Sequence, residues 1–229
     1  MNNKKEDQNK ILEKKEIIFF QKKIEDWVIR RPTGEDFEKQ ISDWSSALPR
    51  QYSDSYPTLE HSVGQYAFPP NIQYPTTLAE ALLWKLGKWN AFKTFVSNYA
   101  SPNPPLPETG VVFYAFARHL AEEKKPIFDQ HALRAIWTIC NTDNNIDTVI
   151  KDSLFDGNDN WKQSGSGKKY STCYEIFQDL IETFIPNNYT RNTLLILDKF
   201  LMPLGQIIKE QAKNLNEYKT LSGKNIRAV

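Results

Sequence analysis

Cysteine is scarce in this chain, with two residues in a sequence of 229. Cys140 and Cys173 lie far apart, and each falls in an apolar pattern with helical spacing. They lack the paired spacing of a zinc site or of a disulfide framework. We therefore predict two buried free thiols in a reducing compartment, and no metal site.

An excess of charge of one sign is also missing. The chain has 29 basic and 28 acidic residues, which gives a formal net charge of +1. Proteins that bind nucleic acid without specificity usually have a larger basic excess, so the composition argues against that class. Basic residues do outnumber acidic ones between residues 85 and 134, which permits a phosphate-contacting face there.

Long hydrophobic runs are absent as well. No apolar stretch reaches the roughly 20 residues that a membrane-spanning helix needs, and the N-terminal sequence MNNKKEDQNK has no signal-peptide pattern. We expect a cytoplasmic protein without a membrane partner. We divide the chain into residues 1–75, with helices and an irregular aromatic and proline-rich segment, and residues 76–229, which form the main helical core.

Strand patterns are scarce, and helical periodicity dominates. The sequence therefore predicts an all-α fold. Thr77 and Glu80 have the spacing of a capping box at the start of one helix, and the polar residues 141–169 are predicted to form a flexible loop. Further helices are predicted over residues 11–29, 35–47, 90–99, 111–120, 130–140, 170–184 and 189–215, the last interrupted near Pro203.

Two motifs occur close together in the middle of the chain. Residues 106–110 have the sequence LPETG, between a proline-rich stretch and an apolar segment that begins at Val111. Residues 129–134 follow the pattern D-x-H-x-x-R. This combination resembles the helix-hairpin-helix DNA glycosylases, in which an L-P-G-x-G turn joins two helices and an aspartate follows in the context V-D-x-H-x-x-R. The resemblance covers residues 106–140 and is most similar to the 8-oxoguanine branch.

The resemblance implies a helix-hairpin-helix glycosylase-like core that binds DNA, a nucleobase or a nucleotide. It assigns to Asp129 the stabilisation of positive charge on the sugar as the base leaves. It assigns backbone phosphate contacts to the hairpin amides near Thr109 and Gly110, and secondary phosphate contacts to His131 and Arg134. The implied reaction is a hydrolysis that uses no cofactor and no metal.

Two departures from the family pattern affect the expected activity. Glu108 replaces the first hairpin glycine, which hinders a close backbone approach to phosphate. Val112 stands where bifunctional members have a lysine nucleophile, and a valine cannot form a Schiff base. We therefore expect monofunctional base removal without strand cleavage.

Other interpretations of the same residues remain open. Asp129 is also a suitable helix N-cap, His131 is equally compatible with a packed or surface residue, and Arg134 with a surface ion pair. The glycosylase fold is also compatible with a non-catalytic module that binds a nucleotide, DNA or a protein partner, as in accessory proteins of bacterial anti-phage systems. In a third interpretation the motifs are accidental and the protein is a helical scaffold.

Overall fold

The computed structural model describes residues 12–48, 64–68, 72–163, 165 and 168–226. In this part of the chain the regular structure is α-helical, with two isolated antiparallel bridges, which confirms the all-α prediction. The helices are α1 (Lys14–Arg30), α2 (Gly34–Ala47), α3 (Leu78–Lys85), α4 (Trp89–Ala100), α5 (Val111–Ala121), α6 (Gln130–Ile139), α7 (Asn144–Leu154), α8 (Lys168–Phe184), α9 (Arg191–Gln211) and α10 (Leu215–Ser222).

Helix α6 lies at the centre of the main core. Every residue from Ala132 to Ile139 is buried, on all sides of the helix. A helix that is buried around its whole circumference has neighbours on each side, and α6 contacts α1, α7, α8 and α9. The position of α6 fixes the position of Asp129, the residue that precedes it.

The first two helices pack into the same hydrophobic core as α9. The rings of Phe20, Trp44 and Phe200 form a cluster with centroid distances of 5.1, 5.2 and 5.5 Å. Aromatic pairs at such distances add stability beyond their buried area. The division at residue 75 stays a prediction, although α1 and α2 share a core with residues that lie well beyond it.

Helix α9 continues through Pro203, so the predicted interruption near this residue is wrong. A proline inside a helix removes the hydrogen bond to the carbonyl oxygen four residues earlier, here that of Lys199. The hydroxyl of Ser45 donates to this oxygen at 2.9 Å and so satisfies it. A contact from α2 thus stabilises the helix where its own ladder is broken.

The prediction of a flexible loop over residues 141–169 is also wrong in part. Residues 144–154 form α7, which Asp143 caps, and Ile150 and Leu154 on it are buried. Beyond it Trp161 is buried, and its indole N–H donates to the carbonyl oxygen of Ala212. The polar composition of this segment indicated a loop, although a few of its apolar side chains pack on distant elements.

A second, smaller apolar cluster lies between α4 and α5. It consists of Tyr99, Ala117 and Leu120, with Phe95 and Phe116 packed against them. The predicted capping box at the start of the neighbouring helix α3 is confirmed. The irregular segment before α3 falls largely on residues 49–63 and 69–71, which lie outside the described residues.

Two further sequence predictions can be compared with the fold. Cys140 and Cys173 are free and buried, as predicted. Burial raises the pKa of the Cys140 thiol to about 12 and that of Cys173 to about 11, which makes both thiols unreactive. No helix in the described ranges is long and apolar enough to cross a bilayer.

Candidate functional site

Asp129 caps the N-terminus of α6. Its backbone is extended, and its Oδ1 accepts a hydrogen bond from the amide of Ala132 at 2.8 Å, which confirms the predicted capping role. The other oxygen, Oδ2, accepts no hydrogen bond from the described residues, and the side chain is half-buried. One oxygen thus fixes the carboxylate while the other can bind a water molecule or a ligand.

A second carboxyl group, that of Asp198 on α9, lies within electrostatic range of Asp129. The residue is half-buried as a whole, but its Oδ1 is inaccessible to solvent and has no hydrogen-bond partner among the described residues. Burial raises the pKa of Asp198 to about 7, and the negative charge of Asp129 contributes to this increase. A carboxyl group with a raised pKa within range of a second carboxyl group is a pattern found in acid–base sites.

Sequence reasoning missed Asp198. The residue is the only acidic side chain in the apolar stretch TLLILDKFLM of residues 193–202. An isolated carboxylate in such a run is a usable indication, because charged side chains are rarely buried without a reason. Its proximity to Asp129 depends on the packing of α9 against α6, which the sequence does not specify.

Other buried polar groups near Asp129 also lack partners. Within the described part of the chain, the hydroxyl of Tyr170 and the side-chain amide nitrogen of Gln130 are inaccessible and form no hydrogen bond. Burial raises the pKa of Tyr170 well above its usual value, and the charge of Asp129 adds to this effect. Buried polar groups are seldom left unsatisfied, so these two groups without partners set the surroundings of Asp129 apart from the rest of the core.

Arg134 is buried, with 1% of its surface exposed. Its Nη1 donates to the carbonyl oxygen of Gly205 at 2.9 Å, and its guanidinium lies over the ring of Trp161 at 4.3 Å. Burial lowers the pKa of Arg134 to about 10. A phosphate contact by Arg134 stays a prediction, but these interactions favour a structural role.

His131 lies between Asp129 and Arg134 on the same end of α6. Its Nδ1 is 3.2 Å from Nη1 of Arg134, and the ring is half-buried. Burial lowers the pKa of His131, although the charge of Asp129 opposes this effect. His131 is therefore mostly neutral at pH 7 and can accept or donate a hydrogen bond, but contributes little charge to a phosphate contact.

Helices α6 and α9 approach each other closely beside His131. A Cβ atom added at Gly205 would lie 2.0 Å from the carbonyl oxygen of His131. Only glycine permits this backbone contact. It fixes the N-terminal end of α6, and with it Asp129, against the helix that contains Asp198.

The hairpin motif forms the start of α5. Gly110 is the N-cap residue and has a left-handed backbone with φ of 71°, a conformation that favours glycine. No side chain caps this helix, and Thr109 and Gly110 are exposed. Val111, the first residue of α5, is buried, so the exposed part of this helix terminus consists of Thr109 and Gly110, at the positive end of the helix dipole.

Arg118 holds the connection between α4 and α5 in place. Its guanidinium donates to the carbonyl oxygens of Asn98 at 2.7 Å, Ser101 at 2.6 Å and Pro102 at 3.1 Å, and also binds the carboxylate of Glu122. Arginine suits this position because its planar fork of donors matches several acceptors at once. Arg118 therefore fixes the end of α4 and the first residues of the connection against α5.

The N-terminal half of α8 connects the hairpin with the Asp129 cluster. Ser171 donates to the carbonyl oxygen of Pro107 in the hairpin at 2.7 Å. The preceding residue, Tyr170, packs on Phe128 with a ring distance of 5.1 Å and lies within electrostatic range of Asp129. The structure thus brings the hairpin and Asp129, predicted from separate motifs, to one region of the molecule.

Aromatic side chains in and near the two motifs differ in exposure. Phe113, in the first turn of α5, is 58% exposed, whereas Trp137 is fully buried and Trp161 nearly so. Phe113 is thus the aromatic side chain beside the hairpin that is most accessible to a ligand. An exposed phenylalanine next to a helix N-terminus is suited to stack on a nucleobase.

Comparisons with protein-family models, curated proteins and solved structures find no match to this chain. The resemblance to helix-hairpin-helix glycosylases therefore depends on the motifs in residues 106–134. Among the described residues, no group of three or more His, Cys, Asp or Glu side chains is arranged to hold a metal ion.

Proposed function

We propose that this protein recognises a nucleobase in a polynucleotide and hydrolyses its N-glycosidic bond with Asp129. The observation that carries the proposal is the environment of Asp129. This carboxylate is fixed by the amide of Ala132 through one oxygen and open at the other, beside buried polar groups without partners. The proposed class is that of the monofunctional glycosylase-like proteins.

The electrostatics of the carboxyl pair support this chemistry. Departure of the base leaves positive charge on the sugar, and a fixed anion stabilises that charge without reorganisation. Because burial and the charge of Asp129 raise the pKa of Asp198 to about 7, Asp198 holds a proton in part of the population at neutral pH. Val112 excludes a Schiff base at the usual lysine position, so the product is an uncleaved strand with an abasic site.

Strand binding is assigned to the N-terminus of α5. The exposed backbone at Thr109 and Gly110 would contact a phosphate, and Phe113 would stack on an adjacent base. Such a contact positions the strand without reading its sequence. The near-neutral net charge is compatible with a small number of phosphate contacts.

Binding of fluorescent single-stranded and duplex oligonucleotides tests this assignment. Thr109→Glu places a negative charge beside the helix N-terminus and should weaken binding by roughly fivefold or more at low salt. Thr148→Glu, a matched substitution on α7, should leave binding unchanged. Binding that is absent, or that Thr109→Glu leaves unaltered, would contradict a phosphate site at the hairpin.

A binding module without base excision is the second candidate function. The observation in its favour is that Oδ1 of Asp129 is committed to the helix cap, which alone accounts for an aspartate at this position. In this case the oligonucleotide would bind at the same surface and remain intact. Product analysis separates the two functions.

A further inference from the structure

An apolar cavity of about 410 Å³ is formed by α3, α4, α5 and residues 66–68. Its volume is within the range of small-molecule sites, which is roughly 300–1,000 Å³. Glu80 is the one charged side chain in the part of the wall that the structure describes. Six aromatic side chains also line the cavity, those of Tyr66, Phe68, Phe92, Phe95, Tyr99 and Phe116. The wall thus combines many aromatic rings with a single carboxylate.

Contacts between distant parts of the chain hold this wall together. The amide of Gly64 donates to the carbonyl oxygen of Leu120, near the end of α5, at 3.1 Å. The ring of Phe68 lies edge-on to that of Tyr99 on α4, with a centroid distance of 5.8 Å. These contacts fix the segment of residues 64–68 against α4 and α5, so that aromatic rings from three parts of the chain surround one space.

The carboxylate of Glu80 is buried, but only one of its oxygens is engaged. Oε2 accepts hydrogen bonds from the amide of Thr76 at 2.6 Å, from its hydroxyl at 2.8 Å and from the amide of Thr77 at 2.9 Å. Oε1 accepts none from the described residues and retains some accessible surface. The hydrogen bond from the Thr76 amide lowers the pKa of Glu80, so the carboxylate is charged at neutral pH.

The capping box of α3 explains why a glutamate stands at this position but not why it is buried among aromatic rings. Glutamate side chains are mostly exposed, whereas Glu80 is 6% exposed. Burial of a charged oxygen without a partner is unfavourable. A cation that donates a hydrogen bond to Oε1 would offset this cost.

We infer that this cavity binds a small organic amine in its ammonium form, with its apolar body among the aromatic rings and its ammonium group against Oε1 of Glu80. An ammonium group has donors only, which suits a carboxylate oxygen, and the faces of aromatic rings attract cations. The charge of Glu80 disfavours an anionic ligand. Neither Asp129 nor Asp198 lies in the wall, so this site is separate from the proposed base-excision site.

Titration of the whole protein with 2-phenylethylammonium, 2-phenylethanol and 3-phenylpropanoate, followed by ligand-observed NMR, tests this inference. The three probes share a phenyl ring and differ in charge. The ammonium should bind the wild type at least roughly tenfold more tightly than the alcohol, because it gains a charged hydrogen bond and contacts with aromatic faces. The carboxylate should bind more weakly than the alcohol.

Glu80→Gln should abolish the preference for the ammonium and retain binding of the alcohol. Glu217→Gln is the matched control. Glu217 is the third residue of α10, and its carboxylate accepts a hydrogen bond from the amide of Lys213 at 2.8 Å in a similar cap, but it lies outside the cavity wall. This control should retain the preference.

Leu83→Trp fills the cavity without changing the capping residues of α3, and should weaken binding of both the ammonium and the alcohol at least roughly tenfold. An alcohol that binds as tightly as the ammonium, or no binding of either probe, would overturn the inference. A preference that survives in folded Glu80→Gln, or unchanged affinities in Leu83→Trp, would also overturn it. If Glu80→Gln does not fold, the preference of the wild type and the loss of binding in Leu83→Trp decide the question.

Discussion

The buried carboxyl group of Asp198 makes the stability of this protein depend on pH in a defined direction. In the unfolded chain an aspartate has a pKa near 3.8, whereas in the fold the pKa of Asp198 is about 7 because of burial and the nearby charge of Asp129. Between these values the folded state retains a proton that the unfolded state releases. Stability from this group is therefore fully present below pH 3.8 and is lost as pH rises towards 7.

The magnitude follows from the size of the pKa shift. A tenfold difference in acid strength corresponds to about 1.4 kcal/mol, so the difference between a pKa of 3.8 and one of about 7 costs at most about 4 kcal/mol above pH 7. Asp198→Asn removes the titration and keeps the shape of the side chain. The free energy of unfolding of this variant, relative to wild type, should therefore rise by about 2 to 3 kcal/mol between pH 5 and pH 8.

Urea denaturation at several pH values measures this difference directly. The comparison uses the slope with pH and not the absolute stability, because an asparagine amide brings its own hydrogen-bonding cost. Asp43→Asn, an exposed aspartate on α2, is the matched control and should follow the wild type at each pH. If the difference between Asp198→Asn and wild type stays constant from pH 5 to pH 8, Asp198 is not a buried acid and the argument fails.

The remaining predictions concern the packing that fixes the site. Gly205→Ala should cost about 2 to 4 kcal/mol of unfolding free energy in urea titrations, because the added Cβ meets a backbone oxygen. The control Gly157→Ala, which has open space around it, should change the unfolding free energy by less than about 0.5 kcal/mol. Equal effects of the two substitutions would contradict the close contact between α6 and α9. Arg118→Met should lower the free energy of unfolding by about 2 to 4 kcal/mol, since it leaves the carbonyl oxygens between α4 and α5 unpaired. An unchanged free energy of unfolding would refute the role of Arg118 in fixing this connection. Gly110→Ala should lower stability by about 1 kcal/mol because of its positive φ, and a Tm equal to that of the wild type would disprove the left-handed turn.

Local patterns in the sequence were sufficient to predict most of the helices. Apolar residues at helical spacing place α1, α2, α5 and α6 within a few residues of their observed bounds. The caps at Asp129 and Thr77 were also predictable, because a capping side chain acts on amides within the next three residues. These features depend on interactions between near neighbours in the chain.

Features that depend on distant contacts were not predictable. Helix α9 continues through Pro203, and the hydroxyl that donates to its freed carbonyl oxygen comes from Ser45, which is far from Pro203 in sequence. Arg134 matches a family motif, yet the carbonyl oxygen of Gly205 and the ring of Trp161 place its side chain in the core. A motif fixes the identity of a residue but not the elements that pack on it.

Base excision by Asp129 is the central claim, and an oligonucleotide assay tests it most directly. Duplex and single-stranded oligonucleotides with 8-oxoguanine, uracil or an alkylated base are incubated with wild type, Asp129→Asn or the control Asp143→Asn, and hot alkali then reveals abasic sites. We predict alkali-dependent cleavage with wild type and the control, and a loss of at least roughly 100-fold with Asp129→Asn. Intact oligonucleotides with folded wild type, or equal product from Asp129→Asn, would contradict the claim.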